Sequence, residues 1–154
     1  GRRRSLRIVV REPVRRILSA EDESKVVAAI GEAEKATSGE LRVHVESRSG
    51  RDAMAAARRW FHRLGMDRTR ERNGVLIYLA VDDKAFAIVG DRGIHEKVGD
   101  DGWASFRDAI QAAFTEGRFA DGLVEAIRSV GAILAAHFPP RGDDRNELPD
   151  SVSR

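Results

Sequence analysis

Between Ile88 and Trp103 the chain reads IVGDRGIHEKVGDDGW, which places four carboxylates (Asp91, Glu96, Asp100 and Asp101) among four glycines. Hard cations such as calcium and magnesium take several oxygen ligands, and a tight turn can bring carboxylates together around one. Asp91, Asp100 and Asp101 supply three such groups, and Glu40 is within reach from a neighbouring strand. Unneutralised carboxylates held together repel one another, so such a cluster calls for a cation or for raised pKa values. The bland alternative uses the same residues. Gly90 and Gly93 would allow positive φ in a turn, Asp100 or Asp101 would cap the helix containing Trp103, and Glu96 and Lys97 would be solvated.

Other chemistries are excluded by spacing. Glycines at 90, 93, 99 and 102 match neither the dinucleotide fingerprint nor the phosphate loop, and the twelve-residue calcium loop is absent. The histidines are scattered: His44 falls on the polar, outward face of a strand, His62 and His137 near helix ends, and His95 in the loop, where it is a candidate acid/base group. No pair has the i, i+4 zinc spacing. No serine or threonine occupies a nucleophile elbow. With no cysteine, disulfides and thiolate chemistry are excluded.

The elements that must position these residues follow from periodicity. Ser19 caps a helix through Val26, Ile30, Ala33 and Thr37, with Gly39 as its stop. ELRVHVES alternates, with Leu41, Val43 and Val45 on one side and Glu40, Arg42, His44 and Glu46 on the other, as in a half-covered strand. A helix through Ala53, Ala57, Trp60, Phe61 and Leu64 ends at Gly65, with Met66 folding back on it. The unbroken apolar run Val75–Val81 predicts a strand buried on both faces. Strand, helix, strand at this spacing is a right-handed crossover, so these two strands are parallel. The link Asp82-Asp83-Lys84 is too short for another crossover, so AFAIVG returns antiparallel through a hairpin. Helices over about 102–116 and 120–138 follow. The expected fold is α/β: a small three-layer α/β/α sandwich with a mixed sheet of three to four strands and about five helices. Ser38–Glu40, Asn73–Gly74 and the glycine-rich stretch then gather at one rim, and Asp82 and Asp83 lie at the other.

The formal charge of +2 is uneven. Residues 1–16 hold seven arginines and Glu12, so the rest of the chain is net acidic. The organisation is a basic arm (1–16), one domain (17–140) and a polar tail (141–154) with prolines. The arm is a candidate for nucleic acid or anionic lipid, but lacks aromatics for base stacking. Its alternating Leu6, Ile8 and Val10 also suit a short edge strand. No run is long enough to span a membrane and no secretory signal is visible, so a cytoplasmic location is expected.

In order, TSGELRVHVES, RNGVLIYLAVDD, FAIVGDRGIHEKVGDDGW and FTEGRFADGLVEAIRSVG resemble the TPM domain family of bacterial and plant thylakoid proteins, the latter linked to photosystem II repair. The resemblance covers about residues 17–140. It implies an α/β/α sandwich and calcium or magnesium binding at the rim, carried by Glu40, Asp91, Asp100 and Asp101. Some members are described as acid phosphatases. Because the sequence has no activated nucleophile and only one histidine near the rim, the favoured expectation is a non-catalytic metal-binding module with a protein partner in assembly or repair. The alternative is a metal-dependent phosphatase in which Asp91 or Asp101 is the base, His95 protonates the leaving group and Arg92 holds a phosphate oxygen. Nucleic-acid binding through the arm is a third reading. Many relatives have an arginine after the acidic hairpin where this chain has Lys84.

Overall fold

Uncharged, mostly apolar and largely β-prone positions make Gly74–Ala80 the strand on which the others assemble, and every residue in it is buried. A computed structural model of the chain describes residues 8–10, 18–50, 52–99 and 101–140, with residues 8–10, 101, 105 and 106 described by backbone alone. The elements described are β1 (Ile8–Val10), α1 (Ala20–Lys35), β2 (Glu40–Glu46), α2 (Ala53–Arg63), β3 (Gly74–Ala80), β4 (Ala85–Gly90), α3 (Arg92–Val98), α4 (Asp101–Thr115) and α5 (Phe119–His137), with a 3-10 turn at Met66–Arg68. The sheet order is β1-β2-β3-β4. β1 and β3 both run parallel to β2, while β4 returns antiparallel to β3. This is the mixed α/β sheet expected from the crossover and the hairpin, with part of the arm supplying the outer strand.

The sheet separates two layers of helix. On one side Leu41, Val43, Val45, Val75, Ile77 and Leu79 meet Val26 and Ile30 of α1, Ile110 and Phe114 of α4, and Leu123, Ile127, Val130 and Leu134 of α5. Each such aliphatic or aromatic side chain contributes about 1.5–3 kcal/mol when fully buried. On the other side lies α2, with Ala56, Ala57 and Phe61 against Leu76, Tyr78, Ala80 and Ala87. Small residues let helices approach closely: a Cβ at Gly122 would come within 2.4 Å of the Phe114 ring.

One boundary differs from the expected one. α1 stops at Lys35, before Thr37 and Gly39, and its Ala36 C-cap is right-handed. The buried Thr37 hydroxyl instead faces the carbonyls of Leu134, at 3.1 Å, and Phe138, sharing its one hydrogen between them and tying the end of α1 to the end of α5. Gly39 serves close approach, since a Cβ there would lie 2.9 Å from Leu134 Cδ2. As expected, α2 ends through Gly65 at φ 73° with Met66 fully buried. Among the described residues no helix is long and apolar enough to cross a membrane.

Candidate functional site

At the rim, β2 and β3 begin in register, Glu40 opposite Gly74. β4 ends on the other side of the same glycine, where the Asp91 N–H donates to the Gly74 carbonyl at 2.9 Å. Glu40 and Asp91 therefore flank one residue of β3, from two different strands. Both are buried.

The stretch after Gly90 is not a loop. Residues 92–98 form α3, with Asp91 as N-cap accepting from the Arg92 N–H at 2.8 Å. His95 thus belongs to a helix, where it is exposed together with Arg92, Glu96 and Lys97, while Ile94 anchors the inner face. Neither Gly90 nor Gly93 has positive φ; the left-handed residues nearby are Arg72, at φ 53°, and Gly99, at φ 71°. Gly93 is needed for approach. A Cβ on it would fall 2.3 Å from the Glu71 carbonyl oxygen and 2.6 Å from that of Arg72.

Arg72 grips α3 twice. Its guanidinium forks onto Asp91, Nε to Oδ2 at 2.7 Å and an Nη to Oδ1 at 3.0 Å, and its carbonyl accepts from Gly93 N–H at 2.9 Å. The Asp91 hydrogen bond is the main reason the Arg72 pKa lies above its ordinary value. A bidentate, charge-assisted pair of this kind is among the stronger polar contacts in proteins. It also occupies the carboxylate: a cation at Asp91 has to compete with a guanidinium. Glu40 is in a similar position, 3.5 Å from Arg42 Nε and buried with it.

As they stand, Glu40 and Asp91 do not make a cation cage, although their oxygens are of the right chemistry. Among the described residues no three His, Asp or Glu side chains are grouped to hold a metal ion. Asp100 lies outside the described residues, and Asp101 is placed only as the backbone start of α4. At the opposite rim Asp83 binds the Ser49 amide and hydroxyl, both at 2.9 Å, which lowers its pKa; the backbone bond is the larger cause. Asp82 and Asp83 thus act in the hairpin, as turn residues do.

The polar side of β2 is the largest departure from expectation. Arg42 and His44 have no solvent exposure, so β2 is covered on both faces and His44 points inward, beneath α2. The His44 ring lies 3.9 Å from that of Trp60 and 6.0 Å from that of Tyr78. Glu46 accepts from the Tyr78 hydroxyl and, at 3.3 Å, from Trp60 Nε1, with His44 Nε2 at 3.8 Å from its other oxygen. Burial and then the Glu46 hydrogen bond push the Tyr78 pKa well up. Arg42 donates to the Leu64 carbonyl at 3.3 Å. With Arg42, His44 and Tyr78 buried and Glu46 and Trp60 half-buried at its edge, this network joins α2 to β2 and β3. The alternation in ELRVHVES marks its residues, but only the apolar stripe of α2, in need of a surface to cover, signals its burial.

A protein-family model described as the TPM domain matches residues 14–133. Among solved structures, the BA42 protein of the psychrophilic bacterium Bizionia argentinensis is 51% identical, with 87% of this chain and 92% of that one covered and a TM-score of 0.78. The N-terminal domain of the cg2496 protein of Corynebacterium glutamicum aligns at 17% identity, TM-score 0.63, over 82% of this chain and 78% of that one. The N-terminal domain of a P. gingivalis protein does so at 17%, TM-score 0.66, over 87% and 85%. The last two show the shared fold alone. No curated protein is a match.

Proposed function

The chain belongs to the TPM domain family, and from that premise we propose that it is a non-catalytic module that binds a divalent cation, calcium or magnesium, at the rim and docks a protein partner. The observation that carries the non-catalytic part is the Arg72 fork on Asp91. A general base must present a lone pair to the proton it removes, yet the Asp91 oxygens accept from Arg72 and from the α3 amide. His95 stands on the exposed side of a seven-residue helix. Asp91 is thereby a structural residue that fixes α3 against the 69–73 loop.

With Glu40 and Asp91 engaged by guanidinium groups, the cation proposal rests first on Asp100 and Asp101, the acidic pair between Gly99 and Gly102. Their hard oxygens suit calcium or magnesium. Bound there, a cation would neutralise the pair and tie the end of α3 to the start of α4. Calorimetric titration of the chelated protein tests this. Saturable heat with Ca²⁺ or Mg²⁺ is expected, with a rise in Tm by linkage, and both are lost on Asp100→Asn with Asp101→Asn. Absence of heat and of any Tm shift at millimolar ion overturns it.

Metal-dependent phosphatase activity is the competing reading, favoured by Arg92 and His95 standing exposed on the same helix beside Asp91. Turnover of an activated aryl phosphate that co-purifies with the chain and falls with Asp91→Asn would establish it. Asn is the informative replacement because Asp91→Ala also removes a helix cap, costing about 0.5–2 kcal/mol.

A further inference from the structure

Residues 51–72 contain seven arginines and no lysine against three carboxylates, in a chain whose domain is otherwise acidic. The fold turns this segment into a surface. Ala56, Ala57 and Phe61 bury one side of α2 in the sheet. The opposite side exposes Arg58, Arg59, His62 and Arg63, and the turn that follows exposes Arg68 and Arg70. On the helix Arg58 stacks on His62 and Arg59 on Arg63, one turn or about 6 Å apart.

Two of the segment's acids make their hydrogen bonds to groups other than its arginines, although Asp67 still acts on Arg72 through its charge. Asp67 is taken up by His62 Nδ1 at 2.9 Å, and Asp52 is the N-cap of α2. Arg58, Arg63 and Arg68 form no ion pair with a carboxylate among the described residues, and Arg59 acts on the neighbouring Tyr78 through its charge without a direct ion pair. Arg63 instead lies over the Trp60 ring, 5.0 Å from its centroid. Like charges at i, i+4 repel on a helix, and that repulsion is relieved by a polyanion laid across them.

We propose that the outer face of α2 and the turn after it form a docking surface for the phosphate backbone of double-stranded nucleic acid. Guanidinium forks match phosphate oxygens in pairs, and backbone contacts of this kind position a duplex without reading its sequence. Single strands are disfavoured, because the aromatic rings of α2 are turned under the arginines and leave no stacking platform. A bilayer is disfavoured, because the apolar side of α2 is already spent on the sheet and cannot insert. The surface is distinct from the N-terminal arm and from the rim carboxylates, and it stands whether or not the rim takes a cation.

The test is fluorescence anisotropy of the full chain with a labelled duplex of about 20 base pairs, over about 50–200 mM salt. Replacing Arg58, Arg59 and Arg63 together by Gln is expected to weaken binding about tenfold or more. It should also flatten the salt slope by about 0.9 for each phosphate that is no longer neutralised. A parallel variant with Arg2, Arg3 and Arg4 replaced by Gln separates the arm. Amide chemical-shift changes in the unsubstituted chain provide a readout independent of any variant and are expected to centre on residues 58–70. The proposal is overturned if only the arm variant loses affinity, if the shift changes fall elsewhere, or if the chain ignores duplexes and binds phosphatidylserine vesicles instead.

Discussion

Val43 and His44 are consecutive residues of β2, both without solvent exposure, and they are buried in opposite kinds of environment. Val43 faces Ile77 across the strands and the aliphatic layer of α1 and α5, where contacts are non-directional. His44 faces Tyr78, beneath Trp60, among groups that must be hydrogen-bonded or charge-matched to be tolerated there. The first side supplies most of the stabilisation. The second ties α2 to the sheet through directed contacts, so a shift of α2 along the strands would strand buried polar atoms. A buried polar network of this sort acts more on which packing is chosen than on total stability.

Four substitutions, with a fifth as rescue, probe that contrast and its margin. The largest loss is expected from Arg42→Met alone, about 3–5 kcal/mol, because it removes the guanidinium that stands beside the buried Glu40 carboxylate. If Glu40→Leu is added, much of the loss should return, and urea melts of both single variants and the double one give the coupling directly. A double variant as unstable as the sum of the two singles would mean the pair is not a unit. Ile77→Ala, on the aliphatic side, should cost about 2–5 kcal/mol, and no second substitution on the polar side should rescue it.

Tyr78→Phe removes one donor to Glu46 and should cost about 1–3 kcal/mol near neutral pH. Its pH signature is the sharper readout. The Tyr78 pKa is raised in the fold above its ordinary 10.0, so its contribution is complete below pH 10 and declines as pH rises beyond it. Thermal melts of the natural chain should therefore fall on the alkaline side, and Tyr78→Phe should flatten that limb. An unchanged limb would show the hydroxyl is not held as described.

Asp83→Asn is the smallest. The Asp83 pKa is depressed below 3.8, so its stabilisation is present above that value and lost as pH falls through the folded pKa. The variant should melt slightly earlier than the natural chain at neutral pH and lose less on acidification. Equal acid limbs would remove Asp83 from the hairpin.

Much of the fold was legible because each element advertises itself locally. The run Val75–Val81, the three-residue hairpin and the Ser19 cap fix strand type, direction and helix start from neighbouring residues alone. The candidate site was legible only in part. That Glu40 and Asp91 reach the same rim, on either side of Gly74, follows from strand directions, but that each faces a guanidinium does not. Arg72 is 19 residues from Asp91 in sequence, and its left-handed backbone leaves no mark in the residue type. The glycines misled for a related reason: a glycine required by another segment's carbonyl looks, in sequence, like one required by its own φ.

The amino-acid order by itself determined the mixed sheet, its crossover, the acidic rim and the basic composition of α2 with its turn. Those depend on periodicity, chain length and charge, which are local or additive quantities. Only the tertiary structure decided that the charged side of β2 is interior, that Asp91 is clamped, and which way the arginines of α2 face. These depend on which surfaces are brought into contact, and the burial of a polar group is a property of what covers it, not of the residue itself.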